Sequence, residues 1–175
     1  MTTATIPRPE TTEYAPFYGT YIARVPEGDL LQLLEEQRRD TQALLAGIPE
    51  ARALHRYAPG KWSIKEVVGH LMDSERVFCY RALRFARGDA KPLQGFDETA
   101  WVPAGKFDVR PLTDLAAELD AVRRATIALF RSFDAAALAR RGTANDKEIS
   151  VRALAYIVAG HERHHVGILR ERYLA

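Results

Sequence analysis

The 175-residue sequence predicts an all-α protein, a four-helix bundle with one long crossover. Three observations carry this. Four segments repeat apolar residues at a helical period, and each opens on a helix start signal. No run keeps the strict alternation of a half-buried strand beyond a few residues. Some two dozen residues separate the second segment from the third, far more than the roughly 2 to 8 that an antiparallel turn requires.

Residues 1–28 precede the first helix, and Tyr14, Phe17, Tyr18 and Tyr21 crowd into their second half. So many aromatic rings predict a strap packed on the bundle, with 29–175 as a single bundle domain. The first helix is expected over 29–46, where Asp29 is placed to cap and Gln32 sits three residues on, as in a capping box. Gly47 and Pro49 close it. The second opens at Ser63, with Glu66 completing the S-x-x-E pattern, and continues through Leu71, Phe78 and Phe85 until Gly88. The third starts near Thr113, just after Pro111, and runs through Leu115, Leu119, Val122, Ile127 and Phe130 to about Phe133. An Ala- and Arg-rich stretch and a short polar turn, Gly142 to Asp146, lead to the fourth, which opens at Ser150 and extends to about Tyr173.

Each apolar stripe needs another helix to cover it. The segment between Gly88 and Leu112 contains Pro92, Gly95, Pro103, Gly105 and Pro111, a crossover rather than a turn. Extended at about 3.3 Å per residue, it easily spans a helix of about 36 Å, so the second and third helices can run parallel. Phe96, Trp101 and Phe107 within it predict packing on the bundle.

Composition narrows the function classes. With 47% hydrophobic and 27% charged residues the chain falls outside collagen-like, coiled-coil and largely disordered classes. Its 25 basic residues nearly balance 23 acidic ones and are scattered among them, so no nucleic-acid partner is expected. Cys79 is the lone cysteine and cannot form an intramolecular disulfide; a reduced thiol suits the cytoplasm. Residues 1–7 lack the basic and apolar regions of a secretion signal, and no stretch of about 18 apolar residues suggests a membrane partner.

Three of the five histidines lie in the string His161-Glu162-Arg163-His164-His165 on the fourth helix. At about 100° per residue, with His161 at 0°, Leu154 falls near 20°, Val158 near 60°, His165 near 40°, Ile157 near 320° and Ile168 near 340°. His161 and His165 are therefore centred on the apolar stripe, while His164, near 300°, sits at its margin. Two imidazoles in a dry seam each need a hydrogen-bond partner or a metal. The i, i+4 spacing puts both rings on one helix face, as in helical zinc sites. His70 on the second helix flanks its stripe and offers a third ligand. Glu75 projects into the middle of that stripe, where a carboxylate needs a ligating imidazole N–H or an arginine such as Arg81 or Arg172 as partner.

The stretch from Lys61 to Arg76, KWSIKEVVGHLMDSER, followed far downstream by HERHH at 161–165, resembles the DinB/YfiT-like superfamily in order, spacing and the long middle loop. The resemblance covers about residues 29–173. It implies an up-down-down-up bundle and one divalent metal ion, with Zn, Ni and Fe as candidates, held by His70, His161 and His165 rather than His164. Three protein ligands leave coordination positions open for a water or a small thiol. The function expected is a metal-dependent hydrolase or thiol-dependent transferase acting on a small-molecule substrate, possible as a homodimer. Glu75 is a candidate for orienting a ligand imidazole or for a general base, and Phe96, Asp97 and Trp101 for the pocket rim. The alternative is a non-catalytic, stress-associated metal-binding or scaffold protein.

Overall fold

A computed structural model describes residues 5–89 and 91–175. Residues 1–4, which open the expected strap and much of the expected leaderless start, lie outside the described residues, as does Ala90 in the crossover. In chain order the helices are α1 (Gly19–Ile22), α2 (Leu30–Ala46), α3 (Ile64–Ala86), α4 (Glu98–Gly105), α5 (Leu112–Arg131), α6 (Ala135–Ala139) and α7 (Val151–Ile168). A hairpin of β1 (Arg141–Ala144) and β2 (Lys147–Ser150) joins α6 to α7, and a π-helical turn, Leu169–Tyr173, extends α7. None of the described helices is long and apolar enough to cross a membrane.

The four long helices begin where orphan backbone N–H groups find a side chain. Asp29 accepts from the N–H groups of Leu31 and Gln32, and Ser150 from that of Ala153. Ser63 and Glu66 form the full reciprocal box, each side chain accepting from the other's N–H. Such a cap contributes about 1 kcal/mol. At Asp29 the box is only half formed, because the Gln32 amide donates instead to Glu36, one turn along, at 2.9 Å.

Side-chain pairs fix the helix directions. Glu75 meets Arg123 and Cys79 meets Thr126, numbers that rise together, so α3 and α5 are parallel. Arg38 meets Asp120 while Gln42 meets Ala116, so α2 opposes α5. Trp62 meets Tyr173 and His70 meets His161, so α3 opposes α7. The order is up-down-down-up, as the resemblance implied. The parallel pair α3 and α5 is made possible by the crossover, which is not a bare loop. It contains α4, capped by Asp97, and a 3-10 turn that seats the buried Phe107 on α3.

The apolar core forms two blocks. One gathers Phe78, Phe85, Ile127, Phe130, Leu154 and Ile157; the other gathers Ile64, Val68, Met72, Leu115, Leu119 and Leu169. A buried polar belt of Gln37, Thr41, Glu75, Arg123, Glu162, His70 and His161 crosses the bundle at intermediate heights along these helices. Helix α7 is buried on nearly every side from Val151 to Glu162, which is why its sequence is apolar almost all round.

The N-terminal segment packs on α7. An alanine Cβ at Gly160 would stand 2.1 Å from the Tyr21 carbonyl oxygen, so only glycine lets α1 lie directly on the helix there. Glu13 anchors the segment through both its oxygens to Arg152, one bond measuring 2.7 Å. Burial pushes the Glu13 carboxyl up, but donation from Arg152, Ser150 and the Glu10 N–H outweighs it and holds the pKa at about 2. A carboxyl held below its ordinary value releases its proton more readily folded than unfolded. Its contribution is therefore complete above about pH 4.5 and disappears as pH falls toward 2. Glu13→Gln is expected to flatten the acid branch of the melting-temperature profile across that window; an unaltered slope would remove this pair as an anchor.

The hairpin was not expected from the sequence, which offered only a polar turn at these residues. Asn145 and Asp146 form a two-residue turn, with φ of 51° and 57°, between strands paired Arg141 to Ser150 and Ala144 to Lys147. Both turn residues adopt the left-handed region that a type I′ hairpin requires, and Asn and Asp tolerate it. Leu93 adds a parallel bridge to Ala144, pinning the crossover to the hairpin.

Candidate metal centre

His70 leaves α3 in its second turn, and His161 and His165 leave α7 one turn apart. The antiparallel packing of these helices brings the three rings together: one ligand nitrogen from each lies within 4.8 Å of the others. The ring centroids are 4.6 to 4.9 Å apart, and the Nε2 atoms of His70 and His161 are 3.0 Å apart. His164 is half-buried and turns its ring toward Tyr21 and His165.

Burial lowers the His70 pKa to about 4, and burial together with the charges of His70 and His164 lowers that of His165 to about 3. Burial, then His165, His70 and His164, lowers that of His161 well below the ordinary value. All three rings are neutral near pH 7, the form that ligates metals. Two imidazole nitrogens bound tetrahedrally to zinc at about 2.0–2.1 Å stand about 3.3 Å apart. The His70 to His161 separation is close to this, and a nitrogen of His165 stands within 4.8 Å of both. Donor type, protonation state and spacing therefore fit a divalent ion. The other ring nitrogen of His70, Nδ1, is 3.4 Å from the Ser74 hydroxyl, a position suited to steadying that ring.

The rings form one end of a pocket of about 470 Å³. Trp62 lies against His70, and Tyr21 and Phe78 stand edge-on to His161. Tyr18 packs against Phe78. Of the expected rim residues, Phe96 lines the pocket and Trp101 stacks behind it at 5.0 Å, while Asp97 is spent on the N-terminus of α4. The strap and the hairpin complete the wall with Tyr18, Tyr21, Asn145 and Lys147, which periodicity could not assign to it. A methyl at Gly69 would collide with the Phe107 ring, 2.3 Å away, so the crossover closes directly over the turn that carries His70.

Glu75 has an arginine partner, one of the two kinds expected, but a different arginine from those named. It is buried, but its two oxygens accept from Nε and Nη2 of Arg123 at 2.8 and 2.7 Å, not from a histidine, Arg81 or Arg172. Arg123 also donates to Glu162 at 2.6 Å, and Glu162 accepts from Gln37 and Thr41 at 2.6 and 2.7 Å. The two carboxylates hold the Arg123 pKa above its ordinary value although burial opposes the charge. Cys79 lines a separate groove beside Thr126, and burial followed by the Glu75 charge pushes its thiol up to about 12, too high for a reactive thiolate.

A family model described as the DinB superfamily matches residues 33–169. Among solved structures, YfiT from Bacillus subtilis, described as a probable metal-dependent hydrolase with an unusual four-helix bundle topology, is 20% identical. It covers 84% of this chain and 87% of its own, with a TM-score of 0.74. A mycothiol-dependent maleylpyruvate isomerase is 13% identical over 83% of this chain and 61% of its own, at a TM-score of 0.66. A DinB-like protein from Bacillus subtilis is 21% identical over 82% and 87%, at 0.59. These likenesses establish the shared fold. No curated protein sequence matches the chain.

Proposed function

Because the chain belongs to the DinB superfamily, we propose that His70, His161 and His165 hold one divalent ion and that the protein is a metal-dependent enzyme for small molecules. The observation that carries this is the convergence of three neutral imidazoles at one end of a walled pocket. A divalent ion on three imidazoles keeps a position open, where it would polarise a substrate oxygen or lower the pKa of a water or thiol. His70, presented by α3, and the pair from α7 set the direction of that open position. Trp62, Tyr21 and Phe78 exclude bulk solvent around the rings, which strengthens every polar interaction there. Glu75 belongs to the Arg123 ion pair in this reading and takes no proton from substrate.

Hydrolysis and thiol-dependent transfer both suit such a centre, and two structural neighbours are described as a probable metal-dependent hydrolase and a mycothiol-dependent isomerase. Zn, Ni and Fe all suit imidazole ligands. The pairing of Glu75 with Arg123 takes that carboxylate out of the base role, which favours, as a second reading, a protein that binds metal without catalysis. A cytoplasmic homodimer remains part of the first proposal.

The test is metal analysis of protein purified without an immobilised-nickel step, followed by assays of stripped and reloaded protein. About one equivalent of metal is expected. Only the reloaded form should hydrolyse members of an ester and amide panel or consume a small thiol with an electrophile. Stoichiometric metal with no turnover selects the second reading; absence of metal sinks both.

A further inference from the structure

We propose that the pocket takes an elongated organic anion, its oxyanion end held by Arg81 and its other end lying against His70, His161 and His165. This names a substrate class for the metal centre proposed above, and it rests on that reading only for the reacting end.

The argument starts from an uncompensated charge. Arg81 is 4% exposed, yet it forms no ion pair, although every Asp and Glu of the chain lies among the described residues. Its Nη2 donates to the Gln94 carbonyl at 3.0 Å, and its guanidinium stands 5.9 Å from the Phe96 ring centre. Among the described residues only one carbonyl and one ring face engage it, which leaves most of its five N–H donors for a ligand. The other deeply buried arginine of the bundle, Arg123, has two carboxylates. Burying a cation without an anion is costly, and Arg81 stands in the pocket wall, where a ligand could supply one.

The position of Arg81 sets the length of that ligand. Eleven residues of α3 separate it from His70, which at 100° per residue returns it to within about 20° of the same face, about 16 Å along the axis. Helical side chains lean toward the N-terminus, and the longer arginine reaches back further than the imidazole, which leaves about 10–15 Å between guanidinium and imidazole. Ser74 and Phe78 occupy the same face between them, with Tyr18 opposite. A pocket lined by aromatic rings with a cation in its wall suits an aryl or alkyl chain ending in a carboxylate or phosphate. Lys147 at the lip adds a second positive charge, and Glu98, also at the lip and exposed, opposes it. The buried arginine decides the sign.

Calorimetric titration of the full-length protein with 4-phenylbutyrate and with 4-phenylbutyramide tests this, in metal-stripped and zinc-loaded forms. The acid is expected to bind at least tenfold more tightly than the amide in both forms. Arg81→Met should abolish that preference, and Arg81→Lys should keep part of it. Equal affinity of acid and amide for the unsubstituted protein overturns the proposal without any variant, as does failure of both to bind. A preference seen only with zinc and unchanged in Arg81→Met also overturns it, because the carboxylate then sits on the metal. Preference for the acid in a protein that retains no zinc supports the arginine subsite while removing the metal centre. Phenylbutyl phosphate, run alongside, distinguishes a carboxylate from a phosphate as the preferred end.

Discussion

His161→Ala is expected to lower bound metal from about one equivalent to less than about a tenth after desalting, with the helical circular-dichroism spectrum retained. His161 is the hinge of the cluster: its Nε2 is 3.0 Å from that of His70, and its ring lies 4.6 Å from that of His165. Removing it leaves one imidazole on each helix. Changes outside the ligand shell already weaken metal binding by about 10- to 100-fold, so losing a ligand should weaken it further. His164→Ala is the control, because that ring turns toward Tyr21 and should leave metal content unchanged. Full metal retention by His161→Ala, or equal loss in His164→Ala, would contradict the assignment.

Arg123→Met is expected to give the largest loss of stability among single substitutions of the polar belt. It strands Glu75 and Glu162, both buried, without their shared cation. Breaking a buried pair from one side costs about 3–5 kcal/mol, which in a chain of this size lowers the melting temperature by on the order of 10 °C. Glu75→Gln should cost less, since Arg123 keeps Glu162. Urea denaturation of the two variants measures the difference. A melting temperature within a degree or two of the unsubstituted protein for Arg123→Met would mean that the three groups carry little of the fold.

The features read correctly from sequence are local ones. Asp29, Ser63 and Ser150 mark helix starts because capping acts within a few residues, Pro111 marks one because it cannot continue a helix behind it, and the His161 and His165 pair is visible because both rings lie on one helix. The convergence of His70 with them is a tertiary fact, legible through the family resemblance rather than the helical period. An arginine was one of the two kinds of partner open to Glu75, and which arginine it would be was not legible for a related reason. Arg123 lies on the stripe made by Leu115, Leu119, Ile127 and Phe130, an arginine where α5 should be apolar. That anomaly was the available signal for a buried ion pair. Glu162 and Gln37 gave weaker signals, since each faces a second buried side of its helix. The hairpin escaped because Asn-Asp replaces the usual Asn-Gly and its strands are four residues long.

The stretch aligned with the DinB superfamily begins at residue 33, whereas Tyr18 and Tyr21, which wall the imidazoles, lie upstream. Relatives that share the histidines therefore need not share the chamber around them, and reaction preference can diverge through a leading segment that alignment of the helices alone passes over. Trimming the protein to its bundle would leave the three imidazoles in place and remove the two tyrosines that stand in front of them.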